Sequence, residues 1–293
     1  MIVTQIHGGL GNQMFQYAAG RALSLTHQEA LGLDTSEFDS YALHQGFELT
    51  RVFGLNTPQL SREQLRQSFG WRVLPLAQRL AARWPHFPLA DQRMVLEPHL
   101  DYWPGMADVP AHAYLRGYWQ SDQYFQACAD TIRADFQFKD PLQGLALAWA
   151  EHMQAVPSVS LHIRRGDYVA NPATLAYHGM CSPDYYRQAV DAMAAQVNHP
   201  EFFVFSDDLP WARENFKLPY PVHYVDGNVG TASYRDMQLM SLCRHHIIAN
   251  SSFSWWGAWL NARANKHVMA PARWFAARPT PKGLYPETWT VLL

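Results

Sequence analysis

Two adjacent arginines, Arg164 and Arg165, follow directly on residues 158–163, an apolar run that is typical of a buried strand. An open α/β sheet binds its ligands beyond the carboxyl ends of its strands, and this pair would lie there. A guanidinium carries a planar fork of N–H donors that suits phosphate oxygens, so the pair predicts an anionic ligand such as a nucleotide diphosphate. The alternative is that both arginines only pair with acids such as Asp167 in a loop.

A glycine turn that contains Gly9 and Gly11 follows the first apolar run of the chain. With Asp34 at the end of the next predicted strand, it resembles part of a dinucleotide-binding fingerprint. Met14 stands where that fingerprint has its third glycine, which weakens this interpretation. The alternative is a turn that brings Asn12, as a helix cap, and backbone N–H groups towards a diphosphate at a helix amino terminus.

A hydroxyl-rich segment, Asn250-Ser251-Ser252-Phe253, lies near the other end of the chain. It follows a predicted strand and begins a predicted helix, so hydroxyls and backbone N–H groups meet at the positive end of a helix. The positive end of a helix suits a phosphate group as ligand. The alternative is that one serine simply caps the helix.

An acidic segment, Ser206-Asp207-Asp208, ends another predicted strand. Two neighbouring carboxylates without further oxygen ligands make a poor magnesium site, so no metal is predicted here. Ser206 and Asp207 are instead candidate ligand-binding residues, and Asp208 is a candidate helix cap.

Strands that alternate with helices must position these segments. The N-terminal pattern of strand, helix and strand predicts a parallel β-α-β unit, and residues 36–110, which prolines interrupt, predict short helices and loops. Alternation after Pro157 predicts a second parallel sheet, so we expect an α/β fold with domains at residues 1–153 and 154–293. Strands are predicted at residues 2–7, 30–34, 113–119, 158–163, 202–205, 222–225 and 246–249.

Composition narrows the functional class. The 23 basic and 25 acidic residues give a net charge of −2, which offers no overall attraction to nucleic acid. The three cysteines match neither a disulfide framework nor a zinc spacing, so a reducing cytoplasm is expected. No apolar run approaches the length of about 18 residues that a membrane span needs, and the start of the chain is unlike a signal peptide.

With residues 8–18, 162–168 and 250–260 in that order, the chain resembles the bacterial family-11 α-1,2-fucosyltransferases. The resemblance implies a GT-B-like fold of two Rossmann-like domains that face each other across a cleft. The first domain would hold the acceptor and reach the donor through the Asn12 loop, and the second would bind a GDP-sugar. Animal relatives carry an amino-terminal membrane anchor, so its lack here favours a bacterial cytoplasmic enzyme.

The same resemblance implies roles for single residues. Arg164, assisted by Arg165 and by the other segments, would stabilise the leaving diphosphate. His162 would lie beside the nucleoside and Asp236 near guanine. Asp167 and His178 are the candidate bases, although Asp167 is better suited to holding Arg165.

The implied reaction moves L-fucose from GDP-β-L-fucose to the 2-hydroxyl of a terminal β-galactose with inversion, without a metal or another cofactor. Its acceptor would be a galactose-terminated oligosaccharide or a lipid-linked glycan, with peripheral membrane contact left open. One alternative is another GDP-deoxysugar such as colitose. Alternatives of a different class are a nicotinamide-dependent dehydrogenase and a carbohydrate-binding protein, the latter favoured by 11 tryptophans and 14 tyrosines.

Overall fold

The computed structural model describes residues 1–39, 45–74, 77, 92–166, 169 and 171–293. It divides into two compact units: Met1–Lys139 with Lys282–Leu284, the N-terminal unit, and Asp140–Pro281 with Tyr285–Leu293, the C-terminal unit. The sequence predicts the division at residues 153 and 154, but it lies earlier. The reason is that the helix Gly144–Ala155 packs its buried Met153 in one cluster with Phe203 and Phe205 of the second sheet.

The N-terminal unit is built on a parallel sheet. Its described strands are β1 (Ile2–Gln5), β2 (Leu31–Asp34), β3 (Met94–Leu96) and β4 (Ala113–Arg116). They lie in the order β2-β1-β4-β3, with Ile2 opposite both Leu31 and Ala113. The helices are α1 (Leu10–His27), α2 (Leu49–Phe53), α3 (Arg62–Phe69) and α4 (Ala129–Asp135). The parallel pairing of β1 with β2 around α1 confirms the predicted β-α-β unit.

Helix α1 begins earlier than the sequence predicts. Gly9 is its N-cap residue and Asn12 already lies in the first turn, so the prediction of Asn12 as the cap is wrong. Gly8 turns the chain with a φ of 77°, a left-handed conformation that glycine adopts without strain. The close approach to the sheet occurs at Gly20, where an added Cβ would lie 3.0 Å from the Thr4 side chain.

The described part of residues 36–110 consists of short helices and loops, as predicted, together with the unpredicted strand β3. Besides α2 and α3, it contains single 3₁₀ turns at Ser36–Asp39, Gly70–Val73 and Pro104–Asp108. After Ser121 the chain forms two 3₁₀ turns, Asp122–Tyr124 and Gln126–Cys128, followed by α4.

The C-terminal unit contains a larger parallel sheet. Its described strands are β5 (Ser158–Ile163), β6 (Glu201–Ser206), β7 (Val222–Tyr224), β8 (His245–Ile247), β9 (Val268–Pro271) and β10 (Thr290–Leu292). They lie in the order β10-β9-β8-β5-β6-β7, which puts β5 at the centre of the sheet. The sequence predicts β5 to β8 to within a few residues and misses β9 and β10.

Helices cover both faces of this sheet. They are α5 (Gly144–Ala155), α6 (Pro172–His178), α7 (Pro183–Ala194), α8 (Leu209–Asn215), α9 (Tyr234–Leu242) and α10 (Ser252–Leu260). Met193 of α7 packs with Leu161 on one face, while Leu239 of α9 packs with Phe205 on the other. Each such fully buried side chain contributes about 1.5–3 kcal/mol of hydrophobic stabilisation.

The two sheets settle the fold class. The strands within each sheet are parallel and are connected by helices. This confirms the predicted α/β class, with the two Rossmann-like sheets that a GT-B-like fold contains. Within the described ranges, no helix combines the length and the apolar character that crossing a bilayer requires.

Candidate functional site

The arginine pair lies at the carboxyl end of β5, and two aspartates that follow the neighbouring strand hold it in place. Ile163, the last residue of β5, lies opposite Ser206, the last residue of β6, so the residues after each strand meet. Arg164 Nη1 lies 3.0 Å from Asp207 Oδ2, and each of these side chains is 24% exposed. The other oxygen of Asp207 accepts a hydrogen bond from the Arg165 backbone N–H at 2.8 Å. Asp207 therefore fixes both the guanidinium of Arg164 and the turn after β5.

Arg165 makes a different set of contacts. Its Nε donates to Asp208 Oδ2 at 3.1 Å, and its guanidinium lies 4.3 Å from the centre of the Trp211 ring. Asp208 also caps α8, because its Oδ1 accepts from the Trp211 N–H, as the sequence predicts. Asp167, the predicted partner of Arg165, lies outside the described residues. Among the described residues, the acidic partners of the two arginines are thus Asp207 and Asp208, which directly follow β6.

His162 lies directly before the arginines and is buried, with 5% of its surface exposed. Burial and, to a smaller extent, the positive charge of Arg164 together lower its pKa from 6.5 to about 3, although the charge of Asp207 opposes both effects. The imidazole is therefore neutral at physiological pH. Its Nδ1 has no hydrogen-bond partner among the residues that the structure describes, and its ring lies 6.0 Å from that of Phe253.

The hydroxyl-rich segment joins β8 to α10. Since β8 pairs with β5, α10 begins at the same edge of the sheet as the arginines. Ser251 is the N-cap residue, and its Oγ accepts from the Phe253 N–H at 3.3 Å. Ser251 therefore caps α10. Ser252 begins the helix, where the helix dipole favours an anion.

Asn250 acts as a tether in this segment. Its side chain is buried, and its Nδ2 donates to the backbone oxygens of His178, Gly179 and Trp274 at 3.1–3.3 Å. These contacts hold the end of α6 against the start of α10. The candidate base His178 lies at that end of α6, and its ring contacts Phe275 at 5.6 Å between centroids.

Asp236 lies in the first turn of α9 and has an unusual protonation equilibrium. Burial raises its pKa from 3.8 to about 7, although a hydrogen bond of 2.7 Å from Asn228 Nδ2 to its Oδ1 opposes the shift. Asn228 has no recognisable sequence pattern and was missed. Ser206, by contrast, is engaged in its own turn, because its Oγ accepts from the Asp208 N–H at 3.0 Å.

The polar residues of the N-terminal unit lie at the carboxyl ends of β1 and β4. Asn12 Oδ1 accepts from Gln120 Nε2 at 2.8 Å, and Gly9 and Gly11 form the start of α1 beside it. Burial, together with the charge of Arg116, lowers the pKa of His7 to about 4. The sequence had not singled out His7, Arg116 or Gln120. The predicted donor contact of Asn12 stays a prediction.

Asp34 does not fit the dehydrogenase interpretation. It is 2% exposed, and its Oδ2 accepts from the Tyr114 hydroxyl at 2.6 Å. Its Oδ1 accepts from the Ser36 N–H at 3.0 Å. With both oxygens engaged inside the unit, this carboxylate is unsuited to binding the ribose of a dinucleotide.

The model of glycosyl transferase family 11 matches residues 101–292. An alpha-1,2-colitosyltransferase of Escherichia coli is 35% identical, over 94% of this chain and 92% of that protein. The O-antigen biosynthesis glycosyltransferase WbnK of E. coli is 32% identical, over 97% and 98%. The galactoside alpha-(1,2)-fucosyltransferase 1 of Leontocebus fuscicollis is 28% identical, over 86% of this chain and 63% of that protein.

Among solved structures, the α-1,6-fucosyltransferase NodZ soaked with GDP-fucose is similar to this chain. The TM-score is 0.48 and the identity 13%, over 88% of this chain and 91% of that one. The sequence relationships and the family match are much stronger, since they extend over most of the chain at up to 35% identity. The chain belongs to glycosyltransferase family 11.

Proposed function

We propose that the protein transfers L-fucose from GDP-β-L-fucose to the 2-hydroxyl of a terminal β-galactose, with inversion, to form an α-1,2 linkage. The observation that carries this proposal is the Arg164–Asp207 ion pair at the carboxyl end of β5, beside the start of α10. It presents a fixed cation and a helix amino terminus at one sheet edge, which suits a diphosphate leaving group. The relatives named as galactoside α-1,2-fucosyltransferases support the choice of sugar, acceptor and linkage.

The proposed reaction is a single displacement. The acceptor 2-oxygen bonds to the anomeric carbon while the bond from that carbon to the β-phosphate oxygen breaks, and GDP leaves with the electron pair. Negative charge grows on the β-phosphate, where Arg164 and the start of α10 stabilise it. Arg165 and Asp207 keep the turn in position. No metal has a role in this scheme.

The acceptor proton goes to a base, for which His178 and Asp167 are the candidates. His178 is the better one to test first, because Asn250 fixes its backbone next to the start of α10. For nucleoside binding we propose His162 and Asp236. An ionised Asp236 suits the N1–H and the exocyclic amine of guanine, both of which are donors.

The decisive experiment measures GDP release from GDP-fucose with and without lactose, in EDTA, and assigns the product linkage by NMR. Lactose-dependent release that yields Fucα1-2Gal supports the reaction and its metal independence. Release that depends on added divalent metal contradicts the metal-free scheme. If the protein does not bind GDP, the proposal fails. Binding of NAD would then favour the dehydrogenase interpretation, and binding of neither nucleotide would favour the carbohydrate-binding protein.

A specific observation favours a second candidate donor. The relative at 35% identity is named an alpha-1,2-colitosyltransferase, and colitose is L-fucose without its 3-hydroxyl. GDP-colitose assayed beside GDP-fucose at equal concentration tests this candidate directly.

The acceptor and the place of action are a further part of the proposal. We propose a galactose-terminated oligosaccharide or lipid-linked glycan at the cytoplasmic side of the membrane, in line with the name of the O-antigen relative. A comparison of free lactose with lipid-linked β-galactosides tests this. A lower KM for the lipid-linked form supports membrane contact, and equal KM values contradict it.

A further inference from the structure

Two histidines and a glutamate converge at the opposite ends of the strands from the arginines. Glu201 Oε2 lies 2.8 Å from His223 Nε2 and 3.3 Å from His152 Nε2. All three ligand atoms lie within 4.8 Å of one another. The side chains are 23–37% exposed, so an ion can reach them from solvent.

The fold explains why these residues meet. His223 lies opposite Phe203 in the parallel pairing of β7 with β6, and Glu201, two residues before Phe203, has its side chain on the same face of the sheet. Helix α5 covers this face and places the His152 ring 5.2 Å from that of Phe203 and 4.6 Å from that of His223. Helix α5, strand β6 and the edge strand β7 thus each supply one ligand atom.

We propose that His152, Glu201 and His223 form a binding site for a divalent transition metal, with zinc as its preferred ion. Two imidazoles and one carboxylate are ligands that zinc favours, and solvent completes a tetrahedron. Bonds of about 2.0–2.1 Å place tetrahedral ligand atoms about 3.3 Å apart. The spacing between His152 and Glu201 already fits, and that between Glu201 and His223 has to open by about 0.5 Å.

The role of this site is structural. Glu201 begins β6 and Ser206 ends it, so the metal site and the arginine turn are about 17 Å apart along the strand. A bound ion would join α5, β6 and the edge strand β7. Because the three ligands come together only in the folded chain, zinc stabilises the native state by mass action and leaves the transfer reaction unchanged.

The competing explanation is a cluster held by hydrogen bonds alone, in which Glu201 accepts from the two imidazoles. A second pair of histidines, His245 and His267, stacks with ring centres 5.1 Å apart and is another place where a metal could bind. The experiment has to separate these possibilities.

The test begins with chelator-treated protein titrated with Co²⁺, whose visible absorption reports tetrahedral coordination, followed by displacement with Zn²⁺. We expect saturation at one ion per chain and a rise in Tm of at least about 2 °C with excess Zn²⁺. Glu201→Gln, which preserves size and shape, and His223→Gln should each weaken binding at least about tenfold. His99→Gln, which changes an exposed histidine of the N-terminal unit, is the matched control and should bind like the wild type.

Variants count only if their melting without metal matches that of the wild type, and Glu201→Gln decides if the histidine variants do not fold. The proposal is overturned if the wild type shows no saturable site, if Glu201→Gln binds as tightly as the wild type, or if His267→Gln alone abolishes binding. Transfer activity of wild type and Glu201→Gln should agree in EDTA. This readout keeps the metal site separate from the proposed reaction.

Discussion

Arg164 is the residue on which the proposed chemistry depends most, because Asp207 aims its charge at the end of β5. Arg164→Ala should reduce turnover by about 10²–10³-fold, since it removes one stabiliser of the leaving diphosphate. Steady-state rates with GDP-fucose and lactose measure this. The matched control is Arg213→Ala, which removes an arginine from an exposed ion pair with Asp226 and should change stability by less than about 1 kcal/mol.

The ion pair itself can be tested through additivity. If Asp207 acts by positioning Arg164, the double variant Arg164→Ala/Asp207→Ala should be no slower than Arg164→Ala alone. Independent, multiplying losses would mean that Asp207 contacts the donor itself. A near-native rate for Arg164→Ala would remove Arg164 from the mechanism.

Asp236 gives the protein a pH-dependent stability with a sign that can be checked. Burial raises its pKa from 3.8 to about 7, so the folded chain binds this proton more tightly than the unfolded chain does. The wild type therefore loses stability as the pH rises through this window, from about 4 to about 7. Asp236→Asn does not titrate, and the difference in Tm between variant and wild type should grow in favour of the variant from pH 5 to pH 8.

The control for Asp236 is Asp226→Asn, which changes an exposed carboxylate of the same unit. Melting curves are recorded without GDP, so that ligand binding does not contribute. A difference in Tm that stays constant across the pH range would show that the Asp236 carboxyl titrates normally.

At the scale of the element, the start of α10 is proposed to bind the diphosphate of the donor, a role that is not proposed for the starts of the other helices. Ser251 caps α10 and Ser182 caps α7, each by accepting from a first-turn N–H. Ser251→Ala and Ser182→Ala should each lower the free energy of unfolding by about 0.5–2 kcal/mol. Only Ser251→Ala should also weaken GDP binding, measured by calorimetry, and equal GDP affinities would reduce Ser251 to a cap.

The elements were predictable where the chain carries a recognisable local pattern. Residues 158–163 carry apolar side chains at the alternate positions Val159, Leu161 and Ile163, and they form β5 with the predicted bounds. The strands β3, β9 and β10 were missed, and their pairing depends on strands that lie elsewhere in the chain. Asn12 was misplaced because its side chain suits a cap, whereas the positive φ of Gly8 turns the chain into the helix earlier.

The candidate site was predictable in its residues and not in its contacts. Arg164 and Ser251 follow predicted strands, so their edge of the sheet could be inferred. That Asp207 holds Arg164 depends on the register between β5 and β6, which no local pattern specifies. The bond from Asn228 to Asp236 likewise joins a loop to a helix, and their sequence spacing has no known meaning.

At the scale of the whole molecule, each sheet carries polar residues at the carboxyl ends of its strands. The N-terminal unit has Asn12 and Arg116 there, and the C-terminal unit has Arg164 and Asp207. This edge is where α/β sheets bind ligands, so the placement follows from the fold class alone. Three segments of the sequence were therefore enough to predict the family. The identity of the donor sugar could not be predicted in this way, because it depends on contacts with single hydroxyl groups.

The ratio of kcat/KM for GDP-fucose to kcat/KM for GDP-colitose distinguishes the two candidate donors. A site that hydrogen-bonds the 3-hydroxyl of fucose leaves buried polar groups unpaired when colitose binds, so it rejects colitose by about 10⁴–10⁵-fold. A site shaped for colitose meets fucose only as a sugar with one added hydroxyl, which it rejects by about 10²-fold. For the proposed fucosyltransferase, kcat/KM for GDP-fucose should exceed that for GDP-colitose by the larger factor. A preference of about 10²-fold for GDP-colitose would instead assign the second candidate donor. Comparable kcat/KM values for the two donors would mean that the 3-hydroxyl faces solvent. The acceptor and the cellular supply of donor would then decide which sugar is transferred.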